Sequence, residues 1–467
     1  MMPPTFSDTT PPQRRQSVLS RLTPHLPLVA ALALRLASEP TASLSYPLVA
    51  AYALFGRGHA IRALALSWLF TMLSPGIAPD APAATIGRYA VLFAAALSAF
   101  VHSHTPNGPR RFDPFAGATL LLGVFIIVHA LLFSPLADVS TLKAVSWTMA
   151  MTTSIAAWSG LSPRQREQVA EQLFWGLVAV LLVSLPLAAT SLGYLTNGTG
   201  LQGVLNQPQA FGPTMALLCV WAVTRLLGEA RPSWWLLTVA GASLLAVIMS
   251  EARTAGLAAA LAVAVAVLAG PGLAGRSVLA MAPGLRSARV WGVLIAALVV
   301  VLIMATTFSD LFQHYITKSG RASVDGLWDA FDLSRGRQMQ AMMDNIRQQP
   351  WTGIGFGIDS VPELMNVSRE PIFGLPVGAS IEKGVTPLMV VEELGIFGAV
   401  LVGFWVLRLL RTSARGGIAP FAVVLTVLLM NLGEATLFSP GGVGLLPLIL
   451  LGWAYASGRP APERRHA

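Results

Sequence analysis

The sequence has little charge, few lysines and a single cysteine. Charged residues make up 11% of the 467-residue chain, whereas about a quarter of a typical soluble domain is charged. None of its three lysines, Lys143, Lys318 and Lys383, follows a glycine, so the Gly-x-x-x-x-Gly-Lys phosphate loop of ATPases is excluded. Cys219 has no second cysteine to pair with, which excludes an internal disulfide.

Motifs for metals and cofactors are also missing. No Asp-x-Asp pair and no His or Cys cluster with metal-ligand spacing occurs in the sequence, and such motifs are what metal sites require. The glycines of the run 353–357 lack the strand and helix that flank a dinucleotide-binding turn, so we expect a loop hinge there. The sequence therefore predicts a protein without a metal or cofactor.

The chain is strongly basic, with a net charge of +9, but nucleic acid is not the expected partner. Its arginines cluster in short turns between apolar segments rather than on one soluble face, which is typical of membrane topology. Only three of the 31 basic residues are lysines. This bias arises either from guanidinium groups that grip phosphate or from a GC-rich genome.

Long apolar stretches are what the sequence has in abundance, since 54% of its residues are hydrophobic. A helix that spans a bilayer needs roughly 20 mostly apolar residues, and such stretches recur from Pro27 almost to the C-terminus. The pattern predicts an all-α, polytopic membrane protein of 12 to 14 transmembrane helices. The first two stretches, 26–37 and 43–55, are too short for a full crossing and favour a shallow hairpin or one broken element.

Arginine-rich turns orient these segments, because short loops rich in arginine stay in the cytoplasm. Alternate turns carry arginine, as at Arg164 and Arg411, while the turns 75–87 and 193–209 have none. We therefore expect both termini to be cytoplasmic and the multi-pass chain to lie in a bacterial inner membrane, with one large external loop in the periplasm. The predicted organisation is a disordered cytoplasmic tail (1–24), an N-terminal transmembrane bundle (25–308), the external loop with its short helices (309–385), C-terminal transmembrane helices (386–457) and a cytoplasmic tail (458–467).

The external loop is expected to be structured. Ser334 is a candidate cap for a helix in which apolar side chains recur at helical spacing. Pro350 is expected to end this helix, and the glycines of 353–357 to form a flexible turn after it. The apolar side chains on that face are Met339, Met342, Met343 and Ile346.

Four segments carry a resemblance to a known family. The first is the turn 203–209, Gly-Val-Leu-Asn-Gln-Pro-Gln, directly before an apolar span. The second is 250–256, Ser-Glu-Ala-Arg-Thr-Ala-Gly, where two spans meet. The third runs from Arg337 to Gly357 and contains Pro-Trp-Thr-Gly-Ile-Gly-Phe-Gly, and 391–398, Val-Glu-Glu-Leu-Gly-Ile-Phe-Gly, opens the next span.

Together these segments resemble the O-antigen ligase and O-antigen polymerase family of bacterial membrane glycan transferases, over roughly residues 190–457. The sequence departs from the family in two places. Gln202 stands where the family often has an arginine, and 381–386 reads Ile-Glu-Lys-Gly-Val-Thr, without the family's histidine.

The resemblance implies transfer of a glycan from an undecaprenyl-diphosphate donor to a hydroxyl of a glycan or lipid A core acceptor. It implies Arg253 and Arg337 as catalytic groups that stabilise the departing diphosphate. We assign Glu382 as the general base in place of the missing histidine. The residues expected to bind substrate are Arg335, Arg321, Lys383 and Gln202.

Several alternatives stay open on the sequence alone. Arg253 can instead pair internally with Glu251 or anchor the chain at the membrane interface, and Glu382 with Lys383 can simply flank a span. The chain as a whole can be a carrier or flippase for a lipid-linked or anionic solute, or a structural membrane subunit. Within the transferase interpretation, ligase and polymerase are not distinguished, and a chain-length regulator is a candidate protein partner.

Overall fold

The computed structural model describes residues 26–102, 113–196, 198–292, 336–369, 376–379 and 383–459, together with 295, 299 and 374. These residues are mostly helical, and six of the helices are long and apolar enough to cross a membrane. Four further apolar helices are shorter. The predicted helical class is confirmed, with six helices long and apolar enough to cross a membrane, while the count of 12 to 14 crossings and the external placement of the loop stay predictions.

The helices are numbered along the chain, and one antiparallel pair of short strands accompanies them. Helix α11 corresponds to the helix predicted in the external loop. It is described from Arg337 onward, and Ser334, its predicted cap, lies outside the described residues. The bounds are α1 (Leu26–Ala37), α2 (Glu39–Ala53), α3 (Arg57–Met72), α4 (Ala84–Val101), α5 (Pro114–Phe133), α6 (Ala137–Ser159), α7 (Pro163–Ser184), α8 (Pro208–Gly228), α9 (Trp234–Met249), α10 (Arg253–Ala274), α11 (Arg337–Gln348), β1 (Val367–Arg369), β2 (Pro376–Ala379), α12 (Thr386–Arg415), α13 (Ile418–Met430) and α14 (Leu445–Ser457).

Local sequence explains where several helices begin. Asp113 accepts hydrogen bonds from the N–H groups of Phe115 and Ala116, and Ser162 caps α7 in a capping box with Gln165. Proline occupies the first position of α5, α7 and α8, where its missing N–H costs no hydrogen bond. Helices α1 and α2, of 12 and 15 residues, span only about 18 to 23 Å at about 1.5 Å per residue, as predicted for segments too short to cross.

One end of the bundle, called here the arginine end, gathers the arginine-bearing turns. Arg57 Nε donates to the carbonyl of Ala99 at 3.2 Å, which joins the start of α3 to the end of α4. Arg459, just after α14, pairs with Asp113 at the start of α5 at 2.6 Å. Arg166 likewise donates to a carbonyl at the end of α14, and Arg225 pairs with Glu171.

The opposite end, called the loop end, gathers the turns without arginine. The Ser74 N–H donates to the Val204 carbonyl at 2.9 Å, and the Leu201 N–H donates to the Met249 carbonyl at 2.8 Å. The pair β1 and β2 is tied to the start of α6 by the Arg369–Asp138 ion pair, at 2.5 Å. Successive helices therefore run in alternating directions from α1 to α10, and again from α12 to α14.

Helices α8 and α14 form the centre of the bundle. Almost every residue of both is buried, and Trp221 of α8 packs on Trp453 of α14 with ring centroids 4.6 Å apart. Outer helices instead turn large apolar side chains outward, such as Leu121 and Leu268, which are 72% and 80% exposed. An apolar exterior around an apolar core is what a bilayer requires of a helical bundle.

Candidate functional site

Helix α12 is broken near the loop end. Gly395 has φ 64° and ψ −179°, which is not helical and lies in the region that favours glycine. A Cβ at this position would lie 2.0 Å from the carbonyl oxygen of Trp351. The next amide, of Ile396, donates to the Pro350 carbonyl at 2.9 Å rather than to its own helix. The break therefore receives another segment of chain.

That segment is residues 350–357, called here the glycine segment. The N–H groups of Ile354 and Gly355 donate to the carbonyls of Glu392 and Glu393, at 2.9 and 3.0 Å. These two carbonyls precede the break and lack the helical partners that an unbroken helix would supply. Two sequence motifs separated by some forty residues are thus joined by backbone hydrogen bonds.

The other side of the glycine segment is held by α6. Ser140 Oγ donates to the Phe356 carbonyl at 2.5 Å, and Lys143 Nζ donates to the Gly357 carbonyl at 2.7 Å. A Cβ on Gly357, whose φ is 69°, would lie 2.8 Å from Cδ of that lysine. The segment predicted as a flexible hinge is therefore packed between two helices.

Behind the glycine segment lies a buried group of charges, called here the charge cluster and consisting of Lys383, Glu392 and Glu393. Lys383 Nζ lies 2.7 Å from Glu392 Oε2 and 3.1 Å from Glu393 Oε1. The three residues are 3%, 0% and 1% exposed. The remaining carboxylate oxygens accept hydrogen bonds from Asn345 Nδ2 and from the Gly357 N–H, both at 2.7 Å.

The charge state of the cluster follows from its contacts. Burial lowers the pKa of Lys383, but the charges and hydrogen bonds of Glu393 and Glu392 act more strongly together and raise that pKa above its usual value. Lys383 is therefore an ammonium ion at neutral pH. Lys143 is close enough to interact electrostatically with Glu393, so two of the three lysines of the chain meet here.

The surroundings of Lys383 in the structure differ from those expected for a residue that is accessible to a phosphate group. Its ammonium group is enclosed by two carboxylates, so a phosphate would have to displace one of them. Glu382, the predicted base, lies outside the described residues, as do Arg321 and Arg335. Arg337 begins α11, and its side chain is likewise outside the description.

Gln202, the second polar residue assigned to substrate, is fully buried at the loop end. Its Oε1 accepts hydrogen bonds from the N–H and the hydroxyl of Thr196, at 2.9 and 2.7 Å, and its Nε2 donates to Ser74 Oγ at 3.3 Å. These bonds hold the turn before α8. Gln202 shapes that turn, and its contact with substrate stays a prediction.

Arg253 begins α10 at the loop end, where the sequence predicted two helices to meet. Glu251 before it has a φ of 55°, an uncommon value for a residue other than glycine. The following Thr254 packs on Gly433. A Cβ added to this glycine would lie 2.5 Å from Cγ2 of Thr254. Asn431, two residues before that glycine, hydrogen-bonds Thr386 Oγ1 at 2.9 Å. The start of α10 is thus linked through the end of α13 to the start of α12.

Sequence reasoning missed the partners that make this arrangement. Lys143 was used only to exclude an ATPase loop, although a lone lysine at the edge of an apolar span is itself a sign of a buried ion pair. Asn345 and Ser140 carried no sequence signal. Their partners are distant in the chain, with 216 positions between Ser140 and Phe356.

An open cavity of about 350 Å³ lies beside the glycine segment, between it and the loop end of α5. Its lining combines apolar side chains with a hydroxyl and an amide, a composition suited to a polar organic ligand. Among the described residues no group of His, Cys, Asp or Glu is placed to hold a metal. The lining residues are Leu132, Phe133, Ser134, Pro135, Gln349, Ile354 and Pro362.

Comparison with known proteins adds no relative. No protein-family model matches the chain, and a search of curated proteins finds no match either.

Proposed function

We propose that this chain is a membrane glycan transferase of the O-antigen ligase or polymerase type, which moves a glycan from a polyprenyl-diphosphate donor to an acceptor hydroxyl. One observation carries the proposal. The glycine segment and the opening of α12, two segments through which the sequence resembles that family, bind each other through three backbone hydrogen bonds. Two of the four segments that carry the resemblance therefore lie together in the molecule.

The reaction is a single displacement at the anomeric carbon. The acceptor oxygen forms a bond to that carbon while the bond to the donor phosphate breaks, and the lipid diphosphate leaves with the bonding electrons. Glu382 takes the proton of the acceptor hydroxyl. Arg253 and Arg337 stabilise the negative charge that develops on the departing diphosphate. This stabilisation is stronger in the transition state than in the ground state, so it lowers the barrier.

The charge cluster positions this machinery. Glu382 directly precedes Lys383 in the chain, and Lys383 is fixed by its two carboxylates. Arg337 begins the helix whose Asn345 is bonded to Glu392 at 2.7 Å. The proposed base and one proposed arginine therefore lie on segments of chain that are each fixed by the same buried ion pairs. A fixed segment holds such groups in position better than a free loop does.

The proposal places the loop end outside a bacterial inner membrane and the arginine end in the cytoplasm, with both termini cytoplasmic. A polyprenyl-diphosphate donor carries its diphosphate at the headgroup level, which is where the loop end would lie. The cavity of about 350 Å³ beside the glycine segment supports a sugar site there. Undecaprenyl-diphosphate glycan as donor, a glycan or lipid A core as acceptor and a chain-length regulator as protein partner belong to this proposal.

A carrier or flippase is the second candidate, because α12 is broken beside buried ionisable groups, as helices of carriers often are. Here the carbonyls freed by the break bind loop amides, which favours a fixed site over a moving gate. Analysis of surface glycans in a deletion strain separates the candidates. Loss of capped lipid A core identifies a ligase and single-repeat caps a polymerase, whereas unchanged glycans with a lost solute flux identify a carrier.

A further inference from the structure

Helix α5 contacts the glycine segment through a histidine that the proposed reaction does not use. His129 lies about one turn before the end of α5 and is 5% exposed. Its Nε2 lies 2.5 Å from the carbonyl oxygen of Thr352, in the glycine segment. The glycine segment is therefore held by α5 in addition to α6 and α12.

This contact fixes where the imidazole carries its hydrogen. A carbonyl oxygen only accepts hydrogen bonds, so Nε2 of His129 is the donor in either charge state of the ring. Nδ1 then presents a lone pair in the neutral ring and an N–H in the charged ring. This nitrogen is buried and has no hydrogen-bond partner among the residues that the structure describes. An added proton would therefore enter a place without an acceptor.

The surroundings of His129 suit the neutral ring. The rings of Phe133 and Phe125 lie 4.9 and 5.9 Å from the imidazole, measured between centroids, and Phe125 packs on Phe397 of α12 at 5.7 Å. Residues 350–357 include no charged side chain. Within the described parts of the chain, no charged side chain acts electrostatically on the imidazole. A positive charge on this ring would have no counter-ion, and burial of such a charge is costly.

The charged groups on the elements packed around this contact are engaged elsewhere. On α12, the two carboxylates of the charge cluster are paired with its lysine at 2.7 and 3.1 Å. On α6, Lys143 donates to the Gly357 carbonyl, and Asp138 forms an ion pair with β1. Asp359, just after the glycine segment, accepts from the Val361 N–H at 3.0 Å. These carboxylates also titrate in acid, so a test has to separate their contribution from that of the imidazole.

We propose that His129 is a positioning residue that holds the glycine segment only in its neutral form, so that protonation releases the segment. Release opens the ring to water, which bonds both N–H groups of the charged form. An imidazole in water has a pKa of about 6.5. Docking of the segment is therefore fully favoured above this pH, and it weakens as the pH falls below it.

The consequence for activity rests on the proposed function. A released segment no longer packs against the opening of α12, so glycan transfer should slow in acid surroundings. The release itself is measured without donor or acceptor. Failure of this inference is therefore distinguishable from failure of the proposed transfer reaction.

Hydrogen–deuterium exchange of the full-length protein in detergent measures docking directly, at pH 8 and pH 5, after correction for the intrinsic pH dependence of exchange. The amides to follow are those of Ile354 and Gly355, which donate to carbonyls of α12. At pH 5, protonation of a released imidazole favours release by about 30-fold. The loss of protection between pH 8 and pH 5 should be larger by about this factor in the unaltered protein than in His129→Gln.

The variants separate the hydrogen bond from the proton. His129→Gln keeps an N–H donor near the position of Nε2 and takes up no proton, so it should dock normally at pH 8 without the additional loss in acid. His129→Phe keeps a ring without the donor, so protection at pH 8 should fall by about fivefold to tenfold. His59→Gln is the matched control at the arginine end, in the first turn of α3, and it should keep the acid response of the unaltered protein.

Two results would overturn the proposal. One is an equal acid response of the unaltered protein and His129→Gln, and the other is full protection of the unaltered protein at pH 5. If His129→Gln does not fold, His129→Phe gives the same comparison in acid, because its ring takes up no proton either.

Discussion

At the scale of single residues, Lys383 is the side chain on which the site depends most. It forms ion pairs with two carboxylates that are 0% and 1% exposed, and removal of one partner of a buried ion pair strands the charge of the other. Lys383→Ala should therefore lower the free energy of unfolding by roughly 3 kcal/mol or more. The measurement is thermal unfolding of the purified protein in detergent.

Two further variants make this expectation specific. Arg347→Ala breaks a pair whose side chains are 73% and 51% exposed, and it should cost less than about 1 kcal/mol. Adding Glu393→Gln to Lys383→Ala should restore part of the stability, because one stranded charge is removed. Equal melting temperatures for Lys383→Ala and Arg347→Ala would show that the cluster does not hold the fold.

The raised pKa of Lys383 gives the pH dependence of this stability. A group whose pKa is raised on folding contributes its full stabilisation of the folded protein at pH values below its pKa in the unfolded state. This stabilisation is lost as the pH rises through its pKa in the folded state. The ordinary value is 10.5. The difference in melting temperature between the unaltered protein and Lys383→Ala should therefore persist up to pH 9 and shrink only in stronger alkali.

The proposed phosphate-binding arginines are tested by substitutions that keep their charge. Arg253→Lys and Arg337→Lys should each lose most transfer activity while still inserting in the membrane, because lysine lacks the two-point planar grip on phosphate. Arg347→Lys is the control from the same helix as Arg337, and it should stay active. Retained activity in both test variants would favour internal pairing or interfacial anchoring of these arginines instead.

At the scale of elements, the break in α12 decides whether the glycine segment can dock. Gly395→Ala would place a Cβ 2.0 Å from the Trp351 carbonyl oxygen at a φ of 64°, which costs roughly 1 to 3 kcal/mol from backbone strain alone. We expect a lower melting temperature and loss of activity. Gly403→Ala, in the same helix and with nothing within 4 Å, should be neutral or slightly stabilising. Similar behaviour of the two variants would contradict the docking described above.

The elements also show what the sequence could and could not predict. Alternating helix directions and the short helices α1 and α2 were predictable, because arginine spacing and apolar length are local signals. The break at Gly395 was not, since Glu-Leu-Gly-Ile continues an apolar helical pattern without interruption. Lys383 and its carboxylates were noticed separately, but their pairing depends on that break and on contacts across more than two hundred residues, such as Lys143 with Gly357.

At the scale of the whole molecule, the orientation of the bundle is open to direct measurement. In a Cys219→Ser background, which removes the one native and buried thiol, a cysteine at Ser360 should react with an impermeant maleimide added outside intact cells. A cysteine at Ser323, in the predicted external loop, should do the same. Cysteines at Arg164 and Arg411 of the arginine end should react only after permeabilisation. The reverse pattern would place the loop end in the cytoplasm and remove the basis for transfer at the outer face.

The most direct measurement of the central claim is glycan transfer by the purified protein from a polyprenyl-diphosphate donor, without added nucleotide or divalent metal. The proposal predicts transfer by the unaltered protein and a turnover lower by about 100-fold or more in Glu382→Gln, which keeps the size of the side chain but not its ability to accept a proton. Donor binding should survive in that variant. Absence of transfer by folded, donor-binding protein would contradict the proposed function, and near-normal turnover in Glu382→Gln would contradict the assignment of its base.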